Sequence, residues 1–138
     1  MLIACFFTTC HGIVVDNIIM SNSKNGLSVG TSHPVLIKNS HIETSGVMGY
    51  GIRADGNYSS TDEGLEFLTV ENCTVKSDAP IVVRKATGVY NLTLSGTNTL
   101  ITSKDYQIIV TNNNDEQLLQ EPTGTITITG AEGMTIYQ

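Results

Sequence analysis

Val35-Leu36-Ile37-Lys38-Asn39-Ser40-His41-Ile42 is one repeat unit of this 138-residue chain, read in full. Alternation puts Val35 and Ile37 on one face and Leu36 and Lys38 on the other, a period of two that belongs to a strand. The phase resets after Asn39, and Ile42 opens another inward position. Asparagine tolerates the left-handed backbone of a sharp corner, and its amide can bond the backbone or the same residue one coil away. Four more segments share this design: Ile13-Val14-Val15-Asp16-Asn17, Leu68-Thr69-Val70-Glu71-Asn72, Leu92-Thr93-Leu94-Ser95-Gly96 and Ile126-Thr127-Ile128-Thr129-Gly130. Their closing residues are separated by 22, 33, 24 and 34 positions. A strand-borne repeat of this length predicts a solenoid in which each repeat is one coil. Asn17, Asn39 and Asn72 are expected to stack as a ladder, with Gly96 and Gly130 at the same corner further along.

A second sheet is predicted about ten residues after each corner, from Gly26-Leu27-Ser28-Val29, Gly51-Ile52-Arg53-Ala54, Pro80-Ile81-Val82-Val83 and Gln107-Ile108-Ile109-Val110. Leu2 to Phe7 reads as the first strand, and Gly133 to Tyr137 as a last one. The fold class is therefore all-β, a solenoid of about five to six coils. It forms a single domain over 1–138, or a fragment of a longer solenoid. Two long intervals hold polar, turn-rich insertions, Gly46 to Gly64 and Thr111 to Gly124, which in solenoids often wall a binding groove.

Composition fits this reading. Charged residues are 14% of the chain, well under the usual quarter or so, while 18 Thr, 11 Asn and 13 Gly serve strands and tight corners. A net charge of −6 with seven Lys plus Arg excludes a phosphate-neutralising surface, so no nucleic-acid partner is expected. No basic amphipathic segment points to membrane insertion. Leu2-Ile3-Ala4-Cys5 has the residue types of a lipoprotein cleavage site but lacks the basic and apolar stretches that precede one. Cys5, Cys10 and Cys73 show no metal-ligand spacing. Cys73, just past a corner, reads as a buried thiol, and a Cys5–Cys10 bridge stays open.

The corner Asn followed by Ser or Cys and then an apolar residue resembles the pectin lyase-like superfamily over Gly12 to Val110, and this resemblance implies that the all-β solenoid is a right-handed parallel β-helix. A weaker likeness is to polygalacturonase-type glycoside hydrolases. Lys24-Asn25-Gly26-Leu27-Ser28-Val29-Gly30 is similar to their Gly-His-Gly turn and following strand. Gly51-Ile52-Arg53-Ala54-Asp55 is similar to their cationic segment for uronate carboxylates. The departures are specific: Asn25 stands at the family's histidine, Asp55 replaces its lysine, and Asp16 is the single aspartate before Asn25. Glycosidic hydrolysis requires two carboxyl groups facing one bond, and no such pair is legible.

The resemblance therefore implies a non-catalytic β-helix module that is carbohydrate-binding, adhesive or structural. The alternative is a polysaccharide lyase or glycoside hydrolase acting on uronate-containing polysaccharide. Candidate substrate-binding residues are Asn25, Tyr50, Arg53, Asp55 and Tyr58, with the two tyrosines placed to stack on a sugar. A structural pairing of Arg53 with Asp55 or Asp62 is the competing reading for that arginine. No catalytic residue, metal site or cofactor is assigned. Calcium enters only with lyase chemistry, where Asp55, Asp62 and Glu63 would supply oxygen ligands. His11, His33 and His41 fall at different phases of the repeat and read as turn or surface residues. Partners expected are a polysaccharide and, because a β-helix has open end strands, a second copy stacked end to end as a homodimer. The family likeness favours an extracellular, periplasmic or cell-surface setting, and no signal peptide is read within the chain.

Overall fold

A computed structural model describes residues 3–6, 10, 12–57, 66–115 and 118–138. The strands follow one another in a three-beat order. β1 (Ile3–Phe6), β2 (Ile13–Asp16) and β3 (Ile19–Ser23) are followed by β4 (Asn25–Gly30), β5 (Val35–Lys38) and β6 (His41–Thr44). Next come β7 (Tyr50–Asp55), β8 (Glu66–Glu71) and β9 (Thr74–Lys76), then β10 (Ala79–Arg84), β11 (Val89–Ser95) and β12 (Thr99–Ile101). β13 (Ile108–Val110), β14 (Thr125–Thr129) and β15 (Ile136–Tyr137) complete the order. Successive strands join three sheets in turn. Sheet A runs β1-β4-β7-β10-β13-β15, sheet B runs β2-β5-β8-β11-β14, and sheet C runs β3-β6-β9-β12. The pairings within each sheet are parallel. The protein is thus all-β with three stacked parallel sheets, an arrangement consistent with a parallel β-helix. Among the described residues no helix is long and apolar enough to cross a membrane.

The five segments that define the repeat are the five strands of sheet B. Alternation works as expected in β5, where Val35 and Ile37 are buried and Leu36 and Lys38 are half-buried. The register turns this alternation into columns: Val15, Ile37, Val70 and Leu94 stack in sheet B, and Leu27, Ile52, Ile81 and Ile108 in sheet A. Sheet C adds Met20, Ile42, Val75 and Leu100. All belong to or pack on one core, and each buried Leu, Ile or Val contributes about 1.5–3 kcal/mol. Phe67 is core; its ring lies 4.9 Å from that of Tyr90, whose hydroxyl donates to Gly56 O at 2.6 Å.

The corner after sheet B is where sequence and backbone agree most closely. Asn17, Asn39 and Asn72 have φ of 55°, 51° and 52°, and Gly96 and Gly130 follow at 65° and 80°. The amides, however, do not bond one another among the described residues. Asn39 Nδ2 donates to Asp16 Oδ1 at 2.9 Å, and Asn72 Oδ1 accepts from the Thr97 backbone at 2.9 Å. The stacking is therefore of backbone corners, with the Asn39 and Asn72 side chains bonding other residues of the neighbouring coil. Residues one or two positions past the corner stitch adjacent coils. Ser40 Oγ donates to Lys38 O and accepts from Ile18 N, and Asn98 repeats this by donating to Ser95 O and accepting from Cys73 N.

Two expectations need correction. The stretch Gly46 to Gly64 is not a continuous excursion, because β7 lies inside it, and the added length falls between β7 and β8 at 56–65. Sheet C, which the sequence did not announce as a sheet, occupies the side after the Asn corner.

Candidate functional site

The candidate binding residues lie on and around the outer face of sheet A. Strand alternation in β7 turns Ile52 and Ala54 into the core and leaves Arg53 half-buried on the opposite face. In register across the sheet, Arg53 has Ser28 on one side and Val82 on the other, with Ile109 and Tyr137 continuing the row. The Arg53 guanidinium sits 4.3 Å from the centre of the Tyr50 ring, a cation–π geometry, and its Nη2 donates to Ser28 Oγ at 3.3 Å. Asn25 Oδ1 accepts from the Tyr50 backbone at 3.4 Å. Three of the expected residues, Asn25, Tyr50 and Arg53, are thus brought together. Tyr50 is fully buried, packed in a second apolar cluster with Ala79, Val82 and Ile109. It is therefore placed to orient Arg53 and not to offer an open ring face to a sugar.

Asp55 is drawn elsewhere, to the end of the strand. Arg84 lies opposite it in the β7–β10 register, donates from Nε to Asp55 Oδ1 and donates from Nη2 to Oδ2 at 3.3 Å. Lys85 Nζ approaches the same Oδ2 at 3.5 Å. The pairing of Arg53 with Asp55 that the sequence allowed does not form, because Arg53 turns toward Tyr50 while Arg84 faces the carboxylate from the next strand. Arg84 Nη1 also donates to Asn114 O at 2.9 Å, so this residue ties the second long connection to the sheet. Arg84 and the adjoining Lys85 are brought to Asp55 by the β7–β10 register.

Both long connections leave the same corner, where sheet A passes to sheet B: 56–65 follows β7 and 111–124 follows β13. Between them lies the short link from Lys85 to Gly88, whose backbone is clamped by the second connection through Lys85 N to Asn113 O and Ala86 N to Thr111 O, both 3.1 Å. Tyr58, Asp62 and Glu63 lie outside the described residues. Among the described residues no three His, Cys, Asp or Glu side chains gather as metal ligands do. His41 is exposed and 3.7 Å from Glu43, His33 Nδ1 is 3.4 Å from Thr31 O, and His11 is outside the described residues. The lysine at 76 donates to Glu43 at 2.8 Å and, by that bond and its charge, holds the Glu43 carboxyl below its ordinary value.

The chemistry available at this corner is electrostatic. Of the chain's seven basic residues, Arg84 and Lys85 meet Asp55 and Arg53 lies on the same strand as Asp55, turned toward Tyr50, in a protein whose net charge is −6. Both oxygens of Asp55 already accept hydrogen bonds from cations, while Lys85 keeps a third of its side chain in solvent. No protein-family model matches this sequence, and neither a curated protein nor a solved structure matches it.

Proposed function

We propose that the protein is a non-catalytic, right-handed parallel β-helix module related to polysaccharide-degrading enzymes, and that it binds a uronate-containing polysaccharide in an adhesive or structural role. The observation that carries this reading is the placement of Arg84 and Lys85 on the Asp55 carboxylate at the corner that sends out both long connections, with Arg53 two residues back along the same strand. A local cationic site on an acidic protein favours a carboxylated chain over a neutral one, and guanidinium groups suit carboxylates because they donate in a fork. The partial exposure of these groups makes such binding salt-sensitive. Asp55 has both oxygens engaged, which leaves it poorly placed as one of the two carboxyl groups that hydrolysis requires.

Titration of the protein with polygalacturonate, alongside assays for reducing ends and unsaturated products, tests this reading. Binding without cleavage, weakened by Lys85→Ala and by Arg53→Ala, is the expected result. Cleavage that disappears in Arg53→Ala would establish the enzymatic alternative, and absence of both binding and cleavage on all uronans overturns the proposal.

End-to-end pairing of two copies is proposed on separate grounds. In sheet B the outer strands β2 and β14 each have one strand neighbour among the described residues, and unpaired strand edges invite a further strand. Light scattering across a concentration series checks this; a monomer throughout excludes it.

A further inference from the structure

The two ends of the stack are built differently. Sheets A, B and C finish on β15, β14 and β12 at one end and on β1, β2 and β3 at the other. An outermost strand carries backbone groups that a further strand can bond. At the first of these ends, side chains have taken that role.

In β12 the outer residues serve the strand behind: Thr99 N donates to Cys73 O, and Ile101 O accepts from Ser77 N. Alternation of the ladder turns the carbonyl of the middle residue, Leu100, toward the position of a next strand. The chain makes no strand there, because between β14 and β15 it runs from Gly130 to Thr135 without one. Gln107 stands in for it. Its Nε2 donates to Leu100 O at 2.7 Å, its Oε1 accepts from Thr135 N at 3.0 Å, and its backbone N donates to Thr135 O at 2.9 Å. One side-chain amide thus imitates a peptide unit, donating to the strand behind and accepting from the turn in front. Gln138 acts alike on sheet B, with Nε2 donating to Ile126 O at 3.4 Å. Ala131, Met134 and Ile136 pack against the core at this end.

The other end shows no such closure among the described residues. Side-chain hydrogen bonds to β2 and β3 come from the following coil, Asn39 to Asp16 and Ser45 to Ser23 O. Val14 of β2 and Ile19 of β3 are 61% and 81% exposed. Neither strand holds a lysine or proline, the residues that blunt an edge, and Asp16, their one charge, is paired with Lys38 at 3.6 Å.

We infer that copies of this chain associate through the end formed by β1, β2 and β3 alone, like end to like end, so that assembly closes at a dimer. This rests on the end-to-end pairing proposed above and adds which end joins and how many copies. A partner that meets three sheet edges at once must present three edges in the same arrangement, and a second copy does. Head-to-tail joining needs the opposite end and runs on as a fibre; the Gln107 clasp denies it that edge.

The test is sedimentation velocity over a concentration series on the parent protein, Ile19→Lys and Gln107→Ala. The parent should give monomer and dimer and nothing larger. Ile19→Lys, which puts a charge on the joining edge, should weaken the dimer by at least about tenfold. Gln107→Ala should uncover the second end and produce species larger than a dimer. Gln107→Met, which keeps the side chain's length without its amide, should do the same, and circular dichroism matching the parent shows that either variant is folded. A parent that stays monomeric overturns pairing itself and this inference with it. A parent that grows beyond two copies, an Ile19→Lys variant that pairs as the parent does, or folded Gln107 variants that stop at the dimer would overturn this inference and leave pairing intact.

Discussion

Asp55 and Arg84 face each other across β7 and β10, and a single guanidinium supplies hydrogen bonds to both carboxylate oxygens. The pair is largely shielded, with side-chain exposures of 9% for Asp55 and 18% for Arg84. Removing one partner of a shielded pair strands the other, a loss on the order of 3 kcal/mol. Asp55→Ala should therefore lower the urea midpoint strongly. Arg84→Ala should do so too and also release Asn114 O. The double variant should lose much less than the sum, and additivity in that cycle would show that the two residues act independently.

The corner asparagines separate conformation from side-chain chemistry. At Asn39, with φ of 51°, a β-branched residue meets the full left-handed penalty, whereas glycine meets none. Asn39→Val should cost about 1–2 kcal/mol. Asn39→Gly should change stability by about 0.5 kcal/mol, because the Asn39–Asp16 bond is exposed. Equal losses in the two variants, measured by denaturant unfolding, would contradict the backbone account.

Gly51 tests how tightly the sheets close. A Cβ there would stand 2.2 Å from Val75 Cγ1 and 2.8 Å from Pro80 O. One neighbour is backbone and cannot move alone, so Gly51→Ala should destabilise by at least the roughly 1–3 kcal/mol typical of overpacking. A thermal midpoint near that of the parent protein would show that the β7–β9 contact relaxes.

Cys73 is 1% exposed and its thiol donates to Glu71 O at 3.3 Å. Burial pushes the thiol above its ordinary value of 9.0, so the folded protein keeps this proton at pH values where the unfolded chain releases it. The stabilisation is complete below 9.0 and is lost as pH rises from there through the folded value. Stability should fall between neutral pH and about 10 in the parent protein and fall less in Cys73→Ala. A thiol reagent should label Cys73 only after unfolding; rapid labelling of the native protein would refute this.

Sheets A and B were legible because their strands are long enough to show alternation and because the turn after sheet B is marked by Asn or Gly. Sheet C escaped notice for a physical reason. Strands such as Thr74–Lys76 and Thr99–Ile101 have one buried side chain each, Val75 and Leu100, and a single inward residue has no period. The site was less readable than the scaffold. Arg53 and Tyr50 are three residues apart, a spacing that alternation assigns to opposite faces, yet they stack because Tyr50 sits at the strand's start. Asp55 and Arg84 are 29 residues apart across a connection of irregular length, so their meeting depends on a register that one sequence does not reveal.

Both long connections leave from the A-to-B corner, while the opposite turn after sheet B stays short and keeps a left-handed residue in every described coil. The short turn sets the phase of the stack, so length added at the other corner does not propagate into register. Doubling a flexible connection costs only about 0.6 kcal/mol in closure entropy. The molecule therefore works like a metronome with its weight to one side: the short left-handed turn keeps the strands in step, and the long connections 56–65 and 111–124 are carried at the other corner without altering that beat.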